Sequence, residues 1–262
     1  MKAAKEIQYI RQYGKEMQAQ LKLFLHTRDP TALHQFRVRV KKLKSLLMLL
    51  QTAPGNRRLM HNFKPIKKVF GKAGAIREMY IHLQLSSHYQ LHNGSSEEEQ
   101  QDLQTFRTEA FCRKGHKHLK NIKKACKKIT GHIHNISKRK IRQFYKDHLN
   151  SIALFMANPV FDDRLHDCRK QMKFLLHNEK PARKACSDLP PLNTSYLDEL
   201  QEEIGQWHDN LLAIELFASP QAGNEAVTEK IRTGNQELQN KIRTTAAGFP
   251  EKVSSLPRHP ST

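Results

Sequence analysis

Apolar residues recur along this chain at intervals of three and four, so the pattern predicts helices and no convincing strand. The first predicted helix covers about residues 3–27, with Ile7, Ile10, Met17, Leu21, Phe24 and Leu25 on its inner side. Asp29-Pro30 supplies an N-cap and a proline at the first helical position for a second, running to about Gln51. A third follows the Pro54-Gly55 turn and continues to about Tyr89, with a kink expected near Pro65. Asn93-Gly94-Ser95-Ser96 reads as a turn, and Glu97-Glu98-Glu99 suits the first turn of a fourth helix that reaches about Ile129. A fifth spans about 135–157, and a sixth follows Asn158-Pro159 to about His177. A seventh starts at Thr194 or Ser195 and runs to about Ala218, and an eighth ends near Gly248. Residues 179–193, with Pro181, Pro190 and Pro191, read as a structureless connection. Residues 249–262 have no apolar period and are predicted to be a disordered tail.

Composition narrows this to an all-α class. Only 38% of residues are apolar and 7% aromatic, a lean supply that suits thin apolar stripes on helices and argues against an all-β sandwich. The longest purely aliphatic run, Leu46 to Leu50, is too short for a membrane span, and no apolar segment of secretory-signal type follows Met1. Cys112, Cys126, Cys168 and Cys186 form no C-x-x-C pair and read as reduced thiols. A cytoplasmic location is expected.

Charge changes the picture most. Lys and Arg number 45 against 25 Asp and Glu, a net +20 with a pI near 9.9. Such an excess repels itself and points to a polyanionic partner. Between Glu109 and Asp147 there is no acid and there are thirteen basic residues. Apolar positions run through that stretch as well, so the charge is presented on helices. Lys117, Lys120, Lys124, Arg139, Arg142 and Lys146 recur there at helical spacing.

The chain also repeats itself. Leu33-His34-Gln35-Phe36-Arg37-Val38-Arg39-Val40-Lys41 matches the nine residues from Leu165 to Lys173 at an offset of 132. Gly74-Ala75-Ile76-Arg77-Glu78 matches Gly205-Gln206-Trp207-His208-Asp209 at 131. Two copies of a four-helix unit are expected, at about 1–130 and 131–248. At 100° per residue, His34, Arg37, Lys41 and Lys44 fall within about 80°, as one cationic stripe at the edge of the packed face. His166, Arg169 and Lys173 repeat it in the second copy. The first stripe lies in a helix without a single acid, so a polyanion site outweighs a solvated face of mixed signs.

These residues resemble the CHAD family, the conserved histidine α-helical domain. The block His34-Gln35-Phe36-Arg37-Val38-Arg39-Val40-Lys41-Lys42-Leu43-Lys44-Ser45 is similar to its H-x-x-R-V-x-x-R/K-R/K-L-R/K-S hallmark. His166-x-x-Arg169 with Lys173 is similar to its second repeat, and Gly205 to Asp209 to its L-G-x-x-H-D element. The resemblance covers about residues 1–248. It implies two four-helix bundles related by a pseudo-twofold axis, with a basic channel between them that binds inorganic polyphosphate without cleaving it, and no cofactor. Association with polyphosphate granules would follow. The implied binding residues are His34, Arg37, Arg39, Lys41, Lys42, Lys44, His166, Arg169 and Lys173, joined by the six cations of the acid-free stretch. Two features depart from the pattern: Glu78 stands where the family commonly has Asp, and Phe174 and Leu176 stand at the places of Lys42 and Lys44.

Polyphosphate needs only regularly spaced donors, and the steps along the first stripe place one about every 4.5–6 Å. Two other readings share the charge. An RNA- or DNA-binding protein would use aromatic platforms, and the basic stretch offers only Phe111, Phe144 and Tyr145, which fit the apolar faces. A metal-dependent phosphohydrolase would have to combine His116, His118, His132, His134, His208, Asp209 and Glu78, of which i,i+2 histidines diverge on a helix.

Overall fold

Asp29 has an extended backbone and its carboxylate accepts a hydrogen bond from the Thr31 N–H at 2.7 Å, so the helix after Pro30 starts where the cap chemistry places it. The computed structural model describes residues 3–89, 97–217 and 225–254, and among them every regular element is a helix. In chain order these are α1 (Ala3–Thr27), α2 (Pro30–Leu50), a short 3-10 turn at Pro54–Asn56, α3 (Leu59–Tyr89), α4 (Glu97–Arg113) and α5 (Gly115–Thr130). There follow α6 (Lys138–Met156), α7 (Asp163–Ala185), α8 (Thr194–Phe217), α9 (Glu225–Ala246) and α10 (Phe249–Ser254). The predicted turn at 93–96 and the end of the seventh predicted helix at Ala218 lie outside the described residues.

The chain divides into two compact units, one ending at Ser137 and the other beginning at Lys138. The boundary falls a few residues beyond the repeat offset because the linker after α5 is tied back. Asn56 is fully buried, its amide donates to the Leu50 and His134 carbonyls, and its side-chain oxygen accepts from the His134 N–H at 2.8 Å. Asn135 accepts from the Ala3 N–H as well.

In the first unit α1 packs on α2 and α5, and α3 packs on the same two helices. The four therefore form a ring in which α2 and α5 stand at opposite corners, while α4 lies against α3 and α5. The predicted stripes form its core: Ile10, Met17, Leu21 and Phe24 of α1, and Leu33, Phe36, Val40, Leu43, Leu47 and Leu50 of α2, are buried, while Ile7 and Leu25 at the margin of the α1 stripe are half-buried. Gly115 lets α5 approach α1, since a Cβ there would lie 2.7 Å from Leu25 Cδ1.

In the second unit α7 packs between α6 and α8, and α9 packs on α8. Three expectations are corrected. The predicted fourth helix is two, because the chain turns at Lys114 and restarts at Gly115. The sixth runs eight residues beyond His177: Asn178, Pro181 and Ala182 are buried, and that packing outweighs the hydrogen bond Pro181 lacks. The tail is ordered as far as Ser254, because α10 inserts Phe249 and Val253 into the core against α6 and α8, with Phe249 beside the Tyr196 ring. Residues 255–262 lie outside the described part. Pro65 sits inside α3, which runs through it without interruption.

Candidate functional site

In each unit the repeated arginine crosses from one helix to the next at the repeated glycine. Arg37 of α2 donates to the Phe70 carbonyl of α3 at 3.0 Å, with its guanidinium 4.2 Å over the Phe70 ring. A Cβ on Gly74, one turn on, would meet Arg37 Nη1 at 2.5 Å. Arg169 of α7 donates to the Gln201 carbonyl of α8 at 2.7 Å, again one turn before the glycine, and Gly205 leaves room for its guanidinium. The glycines are thus required by a close approach. Both arginines act as clamps between helices.

The clamp fixes which edge carries the stripe. On α2 the core positions and the stripe His34, Arg37, Lys41 and Lys44 diverge by about 110°, so the stripe runs along the α2–α3 edge. His34, Lys41 and Lys44 are exposed and Arg37 half-buried. Arg39 leaves on the other side, with Nε 3.0 Å from the Glu16 carboxylate of α1, and Lys42 is half-buried off the stripe. On α3, Lys64 and Lys67 are exposed, with Lys67 two turns before Gly74, and Arg77 and Glu78 lie near enough to Arg37 to act on its charge. Burial, and then the like charge of Arg77, lower the Arg37 pKa, against the opposing pull of Glu78.

Lys64 and Lys67 escaped the sequence reading. The signal was present: no acid occurs between Asp29 and Glu78, over a stretch with twelve basic residues that spans all of α2 and most of α3.

The matching edge of the second unit mixes signs. Lys173 is held below its usual pKa by burial and Arg169, while Glu202, Asp198 and Asp209 of the neighbouring helix pull it back up. At the 131-residue offset Asp198 replaces Lys67 and Glu202 replaces Gly71. His166 stacks on His208, ring centroids 4.1 Å apart, in place of His34 and Arg77. Burial, then His208, Lys170 and Arg169, push the His166 pKa down to about 4, so both rings need not carry charge together.

The cations of the acid-free middle stretch form separate surfaces. Lys117, Lys120 and Lys124 lie on one exposed stripe of α5, opposite its buried Ile122, Cys126 and Ile129, and α5 is the corner diagonal to α2. Arg139, Arg142 and Lys146 belong to α6 of the other unit, all exposed, and Arg142 pairs with Asp188 at 2.7 Å. The aromatics Phe111, Phe144 and Tyr145 are buried. The Cys126 and Cys168 thiols are buried too, with pKa pushed up to about 11 and about 12, which suits packing rather than reactivity. Among the described residues no three His, Cys, Asp or Glu side chains group as metal ligands, and no helix is long and apolar enough to cross a membrane.

The paired clamps sit within a recognisable family frame. The CHAD domain family model matches residues 8–218, and the chain belongs to that family. The chain is similar in fold to the crystal structure of the CHAD domain from the plant Ricinus communis, with a TM-score of 0.63 and 18% identity over 95% of this chain and 91% of that one. No match was found among curated protein sequences.

Proposed function

We propose that the protein binds inorganic polyphosphate without cleaving it, chiefly along the α2–α3 edge of its first unit. The observation that carries this is the run of cations on two packed helices, His34, Arg37, Lys41 and Lys44 along one edge of α2 and the exposed Lys64 and Lys67 on α3, in a stretch whose sequence has no acid between Asp29 and Glu78. Repulsion along such a row is relieved when a polyanion lies on it, and phosphates without bases need no aromatic platform. The buried state of Phe111, Phe144 and Tyr145 favours this over single-stranded nucleic acid, whose bases would need exposed rings. The α5 lysines provide a second cationic face, which the same polymer reaches only by passing around the bundle.

The test is polyphosphate titration of the full chain and of Lys41→Glu with Lys67→Glu, in low salt, with RNA and DNA of equal charge as competitors. The reading predicts a loss of roughly tenfold or more in affinity, a steep fall with salt, and poor competition by nucleic acid. Unchanged affinity in the double variant would remove the α2–α3 edge as the site. Phosphate release from polyphosphate in the presence of Mg²⁺ or Mn²⁺ would overturn the non-catalytic part.

A further inference from the structure

The first unit holds a cavity that polyphosphate has no use for. It lies between α3, α4 and α5, measures about 330 Å³, and is walled by apolar side chains with cations at its mouth. That volume is at the lower end of small-molecule sites. Lys72, Arg107 and Lys114 line it and are exposed, and no carboxylate among the described residues lines it. Inside, His118 is 4% exposed and its Nε2 is buried without a hydrogen-bond partner. The His118 ring packs on Phe111, centroids 4.6 Å apart. Phe106 lines the same cavity yet is 62% exposed, an unusual cost for a phenyl ring beside an apolar slot.

These features ask for different things from one ligand. The exposed Phe106 offers a ring face for a flat apolar body, backed by the buried Phe111 and His118 rings. Three cations with no counter-charge call for an anionic group at the mouth. The orphaned Nε2 calls for one polar atom deep in the slot, since a buried nitrogen without a partner is costly. Burial, reinforced by Lys72, Lys114 and Lys117, lowers the His118 pKa, so a neutral ring is available to donate or accept there.

We propose that this cavity is a binding site for a small aromatic anion of the nucleoside-monophosphate class. Its ring lies against the exposed Phe106, its phosphate meets Lys72, Arg107 and Lys114, and a ring heteroatom reaches toward His118 Nε2. Such a site is separate from the α2–α3 edge, and neither reading depends on the other.

The probe is adenosine monophosphate, titrated calorimetrically into the full chain, with adenosine and ribose 5-phosphate as its two halves. The site requires both parts, so each half should bind at least about tenfold more weakly, and the His118 ring resonances should shift with the whole ligand. Ala110→Trp, which fills the slot, should abolish binding of the nucleotide and leave polyphosphate affinity unchanged. Should that variant fail to fold, Arg107→Glu at the exposed mouth should weaken the nucleotide about tenfold. Ribose 5-phosphate binding as tightly as the nucleotide would reduce the cavity to a patch of charge and overturn the proposal. So would nucleotide affinity unmoved by both variants.

Discussion

The two units share a clamp and differ in nearly everything electrostatic around it. Residues 1–137 carry 27 basic and 9 acidic residues, and residues 138–262 carry 18 and 16, so the net +20 resides almost wholly in the first. Each places an arginine of one helix on a carbonyl of the next, one turn before a glycine. Beside that common feature α3 offers Lys64 and Lys67, whereas α8 offers Asp198, Glu202 and Asp209 to Lys173. The difference teaches that the repeated motif encodes a helix-packing joint first. What the neighbouring helix presents then sets the local charge, with lysines on α3 of the first unit and carboxylates on α8 of the second.

The comparison breaks first if the clamps are not equivalent. Arg37→Ala and Arg169→Ala should each cost roughly 2 kcal/mol of stability, as a charged donor is lost and a carbonyl is left unpaired. Urea unfolding monitored by circular dichroism measures both, and an effect confined to one unit would dissolve the analogy.

Matched neutralisation sharpens the electrostatic half. Lys41→Gln and Lys173→Gln occupy the same repeat position, and the first should weaken polyphosphate roughly fivefold while the second changes it by less than about twofold, because Lys173 is already answered by carboxylates. Equal losses in a filter-binding assay would mean that both edges bind.

The smallest effect belongs to the histidine stack. A histidine held near 4 when folded, against about 6.5 unfolded, contributes stability that is complete above 6.5 and is lost as pH falls toward 4. His166→Phe keeps a ring against His208 and should flatten the decline of Tm across that window. An unaltered profile would assign the decline to other groups.

Much of this was legible in the sequence because periodicity reports burial directly. Every α2 position on the apolar stripe is buried, and the repeat located both clamps without revealing what they do. The helices that were misread failed for one reason, namely that tertiary packing overrides local signals. Pro181 and the Pro-rich end looked like breaks, yet Ala182, Phe249 and Val253 find a core to enter. Lys114-Gly115 looked like a helix interior, and only the contact between Gly115 and Leu25 explains the turn. Arg37 and Arg169 read as ligand donors because a sequence shows a charge and its spacing, whereas the carbonyl it reaches lies on another helix. Lys64 and Lys67 stand in the acid-free run between Asp29 and Glu78 but carry no repeated motif, and only the packing of α3 on α2 brings them into account.

The claim that one unit carries the polyanion is tested most directly by lysine footprinting of the intact chain, with acetylation read by mass spectrometry with and without polyphosphate. The account predicts protection of Lys41, Lys44, Lys64 and Lys67, with Lys170, Lys173 and Lys180 acetylated at unchanged rates. Equal protection of the two sets would contradict it.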